Sequence, residues 1–469
     1  MIKVILKRNR EESLLRFHPW VFSGAIAEIQ GNPAEGDLVA VHACDGSLLA
    51  YGHYQIGSIA VRVLSFDESA LRPDFWETML SRALQVRIAA GLHVHSDGVR
   101  HGECVCHGES VCHGESVCHS DGVCHGESVC HSDGVRHGEC ACQGESVHQS
   151  ECASPLSFRA SEASREISST NCYRLVHGEG DNIPGLIIDY YDGVCVMQAH
   201  SVGMFRAKKQ ISEALQKVYG PELKAVYDKS SGTAPYKAGL ELIDGYLYRC
   251  EGFSDDEQVV LENGHKFLVN WTEGQKTGFF LDQRDNRALV GSLSKGRNVL
   301  NLFCYTGGFS IYALAAGANH VDSVDSSKKA MMMVDRNVAL NGFDETKHTS
   351  LCCDAIDYLR DVPVGKYDLM IVDPPAFAKH RGSLKNALRA YQRLNSAAIS
   401  KVAPGGFVFT YSCSQVVDKE AFALAVFSAA AQCGRSVRIL DRLNQPCDHS
   451  VNIYHPEGEY LKGLLLYVE

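Results

Sequence analysis

The sequence predicts an α/β fold: a Rossmann-like, doubly wound sheet in the C-terminal part of the chain, preceded by a small β-barrel and an α+β middle unit. Three observations carry this. Val299-Leu-Asn-Leu-Phe303 is an apolar run the length of a buried parallel strand, which breaks at Thr306-Gly307-Gly308 and resumes at helical spacing. From His265 onward, apolar strand candidates alternate with helical segments. Three of those strands end on an acid, Asp325, Asp354 and Asp373. One such acid is commonly a helix cap. Three in register place carboxylates on the rim where a doubly wound fold binds its ligand.

Residues 1–72 read as the β-rich unit, with strands at Leu38–His42 and Ser58–Leu64 and a hairpin turn at Asp45-Gly46. Trp20 and Phe22 are expected in its core. Residues 73–92 form a linker helix, with Pro73 near its start and Phe75, Met79, Leu80, Ala83, Leu84 and Ile88 at helical spacing. Residues 158–265 give the α+β middle domain, with two strands around the Gly/Pro turn of Arg174–Tyr190, a strand at Val194–Gln198 and a helix at Val202–Tyr219. The doubly wound domain occupies 266–469. Its strands are expected at Val299–Phe303, His320–Val324, Ser350–Cys353, Leu369–Val372, Gly406–Tyr411 and Leu464–Val468.

Between these units, 93–157 is foreign in composition. From His93 to Cys152 it is a six-residue repeat, as in His107-Gly-Glu-Ser-Val-Cys112, holding nine of the chain's 19 cysteines. Three readings compete: a flexible low-complexity insertion, a soft-metal site and a stacked solenoid. The cysteine spacing is not that of a closed zinc site. One valine per unit buries little area against chain entropy. The low-complexity insertion is therefore favoured and no metal site is assigned.

The formal charge of −11 argues against nucleic acid only superficially. The repeat carries a net −8, which leaves −3 for the other 409 residues and permits a local basic face. With 45% hydrophobic and 22% charged residues, the composition is that of a soluble globular protein. No run approaches the ~18 apolar residues of a membrane span. The first ten residues lack the apolar region of a signal peptide. A cytoplasmic protein with reduced thiols and no membrane partner follows.

The glycine turn is not GxGxxG, which disfavours a dinucleotide and favours a nucleoside without a phosphate bridge, such as S-adenosylmethionine. Asp325, 18 residues beyond Gly307, is spaced to reach a ribose diol. In Asp373-Pro-Pro-Ala-Phe377 the prolines stiffen the backbone, so that a carboxylate, a free carbonyl and the Phe377 ring can receive a planar base. Cys413 follows the next strand on the same rim. Thiolate addition at carbon-6 of a pyrimidine would make carbon-5 nucleophilic enough to accept a methyl group.

These residues carry a resemblance. Leu281-Asp-Gln-Arg-Asp285, Asn301–Ser310, Ser323-Val-Asp-Ser326, Asp373–Phe377, Ser412-Cys-Ser414, Asp448-His-Ser-Val451 and Pro456–Gly463 are similar to motifs of the bacterial large-subunit ribosomal RNA cytosine-C5 methyltransferases of the class I fold. His18–Ile26, Gly36-Asp37 and Ile59–Val63 resemble the RNA-binding PUA domain that precedes it in that family. The likeness covers the chain except the repeat. It implies S-adenosylmethionine as cofactor, held by Phe303, Tyr305, Thr306, Gly307, Asp325, Ser326, Asp354 and Ala355. It also implies a flipped cytosine of large-subunit (23S) ribosomal RNA, oriented by Asp373 with Pro374 and Phe377 beside it, and Cys413 as nucleophile. Naked RNA and a ribosomal particle both remain possible substrates, and the oligomeric state stays open, a homodimer among the options. Two alternatives also stand: methylation of another base or position with Cys413 structural, and a non-catalytic RNA-binding assembly factor.

Overall fold

The computed structural model describes residues 1–92, 170–235, 239–378 and 380–469, so the three readings of the repeat lie outside the described residues. The N-terminal unit comprises β1 (Lys3–Leu6), the short α1 (Glu12–Leu15), β2 (Trp20–Phe22), β3 (Ile26–Gln30), β4 (Leu38–His42), β5 (Leu48–Tyr54) and β6 (Ile59–Ser65). They form one sheet in the order β2-β6-β5-β4-β1-β3. Alternate residues, Val4 and Leu6, Val39 and Val41, Val61 and Val63, point into a shared core, as the two-residue period of a strand requires. Trp20 and Phe22 are not part of it. Phe22 is 46% exposed, and the indole of Trp20 donates to Glu179 of the middle domain at 2.8 Å.

The linker helix α2 runs Phe75–Ala89 and buries Phe75, Met79, Leu80, Ala83 and Leu84 against the middle domain. Its Arg87 is fully buried. The guanidinium pairs with Asp181 and donates to the carbonyls of Arg174 at 2.8 Å and Asp448 at 2.6 Å. One side chain thus ties the linker to two further segments.

The middle sheet contains β7 (Cys172–His177), β8 (Leu186–Tyr191), β9 (Val194–Ala199), β10 (Ala225–Asp228) and β11 (Gly245–Arg249) in the order β11-β10-β9-β8-β7. Only β9 and β10 pair in parallel, and α3 (Val202–Tyr219) makes the crossover that a parallel pair needs. A hairpin of β12 (Glu257–Glu262) and β13 (His265–Asn270) follows. His265 therefore opens the second arm of a hairpin rather than a βα run. Asn263 and Gly264 at its turn both have positive φ, the conformation for which Asn-Gly is suited.

The C-terminal domain comprises α4 (Arg284–Ser292), β14 (Asn298–Leu302), α5 (Gly308–Ala315), β15 (His320–Asp325), α6 (Lys328–Leu340), β16 (His348–Cys352), α7 (Ala355–Asp361), β17 (Leu369–Val372), α8 (Leu384–Lys401), β18 (Gly406–Ser412), α9 (Lys419–Cys433), β19 (Val437–Leu443) and β20 (Lys462–Val468). The six strands expected from the sequence are present, each within two residues of the expected ends. β19 was not foreseen. The order is β16-β15-β14-β17-β18-β20-β19, and β20 runs antiparallel to both its neighbours. From β14 the chain winds outward through β15 to β16 and then crosses back to β17. The ends of β14 and β17 are therefore the switch point at which such a sheet leaves a crevice.

Candidate active site

A cavity of about 270 Å³ occupies that crevice. Phe303, Tyr305 and Thr306 from the end of β14, Asp325 and Ser326 from β15, and Asp354 and Ala355 after β16 line it on one side. Asp373, Pro374 and Pro375 after β17 and Cys413 after β18 line it on the other.

The loop after β14 is conformationally strained. Phe303 and Tyr305 take φ of 58° and 48°, left-handed values costly for residues with a Cβ. Asp325 holds them there. One carboxylate oxygen accepts the Tyr305 N–H at 3.0 Å and the other the Ser327 N–H at 2.9 Å. Each oxygen keeps a lone pair for a further donor. Gly307, at φ 81°, leads into α5 and does not line the cavity. A Cβ there would meet Val334 at 3.0 Å, so glycine permits the close packing of the turn. Asp354 is itself the cap of α7, accepting the N–H groups of Ile356 at 2.8 Å and Asp357 at 3.0 Å through one oxygen. Among the described residues, no hydrogen bond reaches its other oxygen.

Asp373 accepts a hydrogen bond from Gln283 Nε2 at 2.9 Å. Burial, reinforced by the charge of Asp282, pushes its pKa up to about 7, against the pull of Gln283, Lys276 and Arg287. Cys413 is half-buried between two pinned serines. Ser412 Oγ donates to Tyr391 at 2.9 Å and Ser414 Oγ to the Ala378 carbonyl at 2.6 Å. Lys462 donates to the carbonyls of Ser414 and Val417, both at 2.7 Å, and burial lowers its own pKa to about 8. Burial, with the charge of Asp373, raises the Cys413 thiol, and Lys276 opposes the rise.

Phe377 is not at the cavity. Its ring packs 4.7 Å from that of Tyr391 and joins the core beside α8. The apolar ring gains more by burial there than by facing a half-polar cavity. Phe279, Phe280 and Phe309 supply aromatic walls instead.

Sequence reasoning passed over the wall contributed by 275–287. Lys276 lies with its ammonium 4.8 Å from the Phe280 ring centre, and the Tyr305 hydroxyl donates to the Gly278 carbonyl at 3.1 Å. Arg287 is buried and forked onto Glu262 at 2.7 and 2.6 Å. Asp282, Gln283 and Arg287 also line the cavity, and the first two fall within the quoted motif Leu281–Asp285. The available signal was several polar residues in and beside a run that folds as a buried turn and helix. Among the described residues, no helix is long and apolar enough to cross a membrane and no His/Cys/Asp/Glu group could hold a metal ion.

Comparison with known proteins follows the same division. A family described as S-adenosylmethionine-dependent methyltransferase matches residues 238–465, and a PUA-like domain matches 4–66. Proteins named ribosomal RNA large subunit methyltransferase I align over nearly the whole chain. Those of Aeromonas hydrophila and Shewanella amazonensis are each 34% identical, over 99% of this chain and 98% of their own length. Among solved structures, a methyltransferase complexed with SAH superposes over all of both chains with a TM-score of 0.72 at 19% identity. A SAM-dependent methyltransferase from Streptococcus mutans gives 0.71 at 19%, again over both full lengths.

Proposed function

The chain belongs to the ribosomal RNA large subunit methyltransferase I family of S-adenosylmethionine-dependent enzymes, and on that premise we propose that it methylates carbon-5 of a cytosine in large-subunit ribosomal RNA through a covalent bond from Cys413. The observation that supports this best is that Cys413 and Asp373 share one cavity with Asp325 and Asp354.

The cavity's residues fit the cofactor. Asp325 retains acceptor capacity for a ribose diol, Asp354 has a second oxygen for the adenine amine, and the left-handed turn of Phe303 and Tyr305 leaves room beside Thr306 for the methionine portion. Ser326 and Ala355 complete that wall. When bound, S-adenosylmethionine supplies an electrophilic methyl group on a sulfonium.

On the acceptor side, the PUA-like domain engages the RNA and the target cytosine swings out of its stack into the cavity beside Pro374. Asp373, whose carboxyl holds its proton to about pH 7, donates it to N3 of the base. Once the Cys413 thiol has lost its proton to solvent, the thiolate attacks C6: the S–C6 bond forms, the C5=C6 π pair moves to C4–C5, the C4=N3 pair moves to the protonated N3, and C5 becomes nucleophilic as an enamine carbon. After C5 has taken the methyl group, solvent takes the C5 proton, the C5–H bond pair re-forms C5=C6 and expels the thiolate, and the N3 proton returns to Asp373. The enzyme would act in the cytoplasm, on ribosomal RNA or an assembly intermediate.

A second reading draws on the raised Cys413 thiol, which favours the unreactive form. In it, Cys413 is structural and another base or position is modified. Incubation with 5-fluorocytidine-substituted ribosomal RNA and S-adenosylmethionine distinguishes the two. The proposal expects a covalent protein–RNA complex with the wild type and none with Cys413→Ala. Absence of the wild-type complex, with 5-methylcytidine missing from the digested RNA, would overturn it.

A further inference from the structure

We infer that Lys276 seats the carboxylate of the cofactor's methionine, an anion subsite that distinguishes S-adenosylmethionine from analogues lacking that group. The inference rests on the cofactor half of the function just proposed and not on which base is modified. The cavity wall is rich in one sign of charge, because Asp282, Asp325, Asp354 and Asp373 all line it. A carboxylate entering among them needs a cation to offset the repulsion. Among the described residues, the wall offers Lys276 and Arg287. Arg287 is fully engaged. Its fork takes Glu262 at 2.7 and 2.6 Å, and its remaining nitrogen donates to the Phe280 carbonyl at 2.9 Å. Lys276 is exposed, and its ammonium rests 4.8 Å from the centre of the Phe280 ring. It makes no ion pair or side-chain hydrogen bond with any described residue, so its charge is free for a ligand that solvent-sized groups can accompany to it.

The placement of Lys276 is built into the fold. It takes φ of 50°, a left-handed value costly for a residue with a Cβ and easy for glycine. Strain of this kind persists where the surroundings over-determine it, and it gathers at ligand sites. Here the surroundings belong to the cofactor turn. The Gln275 N–H donates to the Tyr305 hydroxyl at 2.9 Å, and that hydroxyl donates to the Gly278 carbonyl at 3.1 Å. One side chain thus brackets Lys276 in the chain. Lys229 holds the start of the same loop by donating to the carbonyls of Trp271 and Gly274. The Phe280 ring beside the ammonium meets the Tyr305 ring edge-on at 5.1 Å. Tyr305 and Thr306 form the turn proposed to receive the methionine portion, and Lys276 lines the same cavity. A charge-assisted bond from its ammonium to a carboxylate there would be strong and specific for an anion.

The test measures cofactor binding by calorimetry on full-length wild type, Lys276→Met and Lys276→Arg, without RNA. The two ligands are S-adenosylmethionine and its decarboxylated analogue, which keeps the sulfonium and the amine. Lys276→Met is expected to bind S-adenosylmethionine about 10-fold more weakly and to lower its preference over the analogue by a similar factor. Lys276→Arg should keep most of the preference. Lys276→Gly fits the left-handed backbone, and should lose the preference equally without a lower melting temperature. A preference in Lys276→Met and Lys276→Gly within about threefold of wild type would overturn the inference. If these variants keep that preference and bind ribosomal RNA more weakly, the lysine serves an RNA phosphate and the inference is overturned in that direction. A wild type that forms no 5-methylcytidine overturns the proposed base chemistry alone, whereas an unmoved carboxylate preference overturns this inference alone.

Discussion

The side-chain amide of Gln283 donates to Asp373 at 2.9 Å, while its oxygen accepts from Asn286 at 2.6 Å. The second bond fixes the amide's orientation, so its nitrogen must face the carboxyl. Replacing Gln283 with Leu leaves a buried acceptor short of a donor, a loss of about 1–3 kcal/mol where the contact matters to the reacting base. A drop in kcat/KM of roughly 10- to 100-fold is expected. Because Gln283 lowers the Asp373 pKa, its loss should also move the alkaline limb of the pH–rate profile upward. A lower rate with an unmoved limb would mean that Gln283 acts elsewhere.

Asp373 sets a pH dependence of its own. Its carboxyl is raised from 3.8 to about 7, so it is protonated in the folded protein where the unfolded chain is ionised. Between about pH 4 and 7 the folded state binds the extra proton, and stability falls as pH rises through that window. The donor role requires the protonated form, so kcat/KM should decline above about pH 7. Asp373→Asn cannot ionise. It should abolish that inflection, lower kcat/KM by roughly 100-fold and lose less melting temperature than the wild type between pH 5 and pH 8. Paired thermal scans and rate profiles check both.

Much of the cofactor half of the site was legible because strand, turn and acid recur locally. β14 to Asp325 can be read in one pass along the chain, and the strand ends bearing Asp354, Asp373 and Cys413 follow by repetition of the same unit. The acceptor half was harder to read. Asp282, Gln283 and Lys276 precede the first strand of the domain and reach the cavity only through tertiary folding, for which no short-range period gives notice. Phe377 failed for a related reason: two prolines fix its backbone, but the choice between cavity and core depends on Tyr391, fourteen positions on. β19 has five consecutive exposed residues from Arg438 to Arg442, so its edge position erased the alternation that marks a half-buried strand.

The C-terminal segment Asp448-His-Ser-Val451 is held by a buried ion pair. Arg284 forks onto Asp448 at 3.0 and 2.9 Å, and the Arg174 N–H donates to the same carboxylate at 2.9 Å. Arg284→Met would leave that carboxylate buried and uncompensated, at a cost of about 3–5 kcal/mol. Adding Asp448→Leu should recover a substantial part, because the stranded charge is then gone. Urea denaturation of the two single variants and the double variant measures the coupling. Additive losses would contradict the pairing.

Asp325 spends one lone pair of each oxygen on the backbone before any ligand arrives, holding Tyr305 and Ser327 by their N–H groups. Two effects are therefore joined in Asp325→Ala: loss of the proposed ribose acceptor, and release of a turn whose Phe303 and Tyr305 sit in left-handed conformations. The released turn should relax toward ordinary φ values, which would close space beside Thr306. S-adenosylmethionine affinity is expected to fall about 10- to 100-fold, equivalent to roughly 1.4–2.7 kcal/mol. Hydrogen exchange at the Tyr305 and Ser327 amides should accelerate in the same variant. Asp325→Asn separates the two effects, because the amide can still accept from one of the N–H groups while its nitrogen opposes the other. It should retain partial protection and an intermediate affinity. If Asp325→Ala accelerates exchange but leaves the affinity unchanged, Asp325 supports the turn alone and the ribose must find its acceptor elsewhere in the cavity.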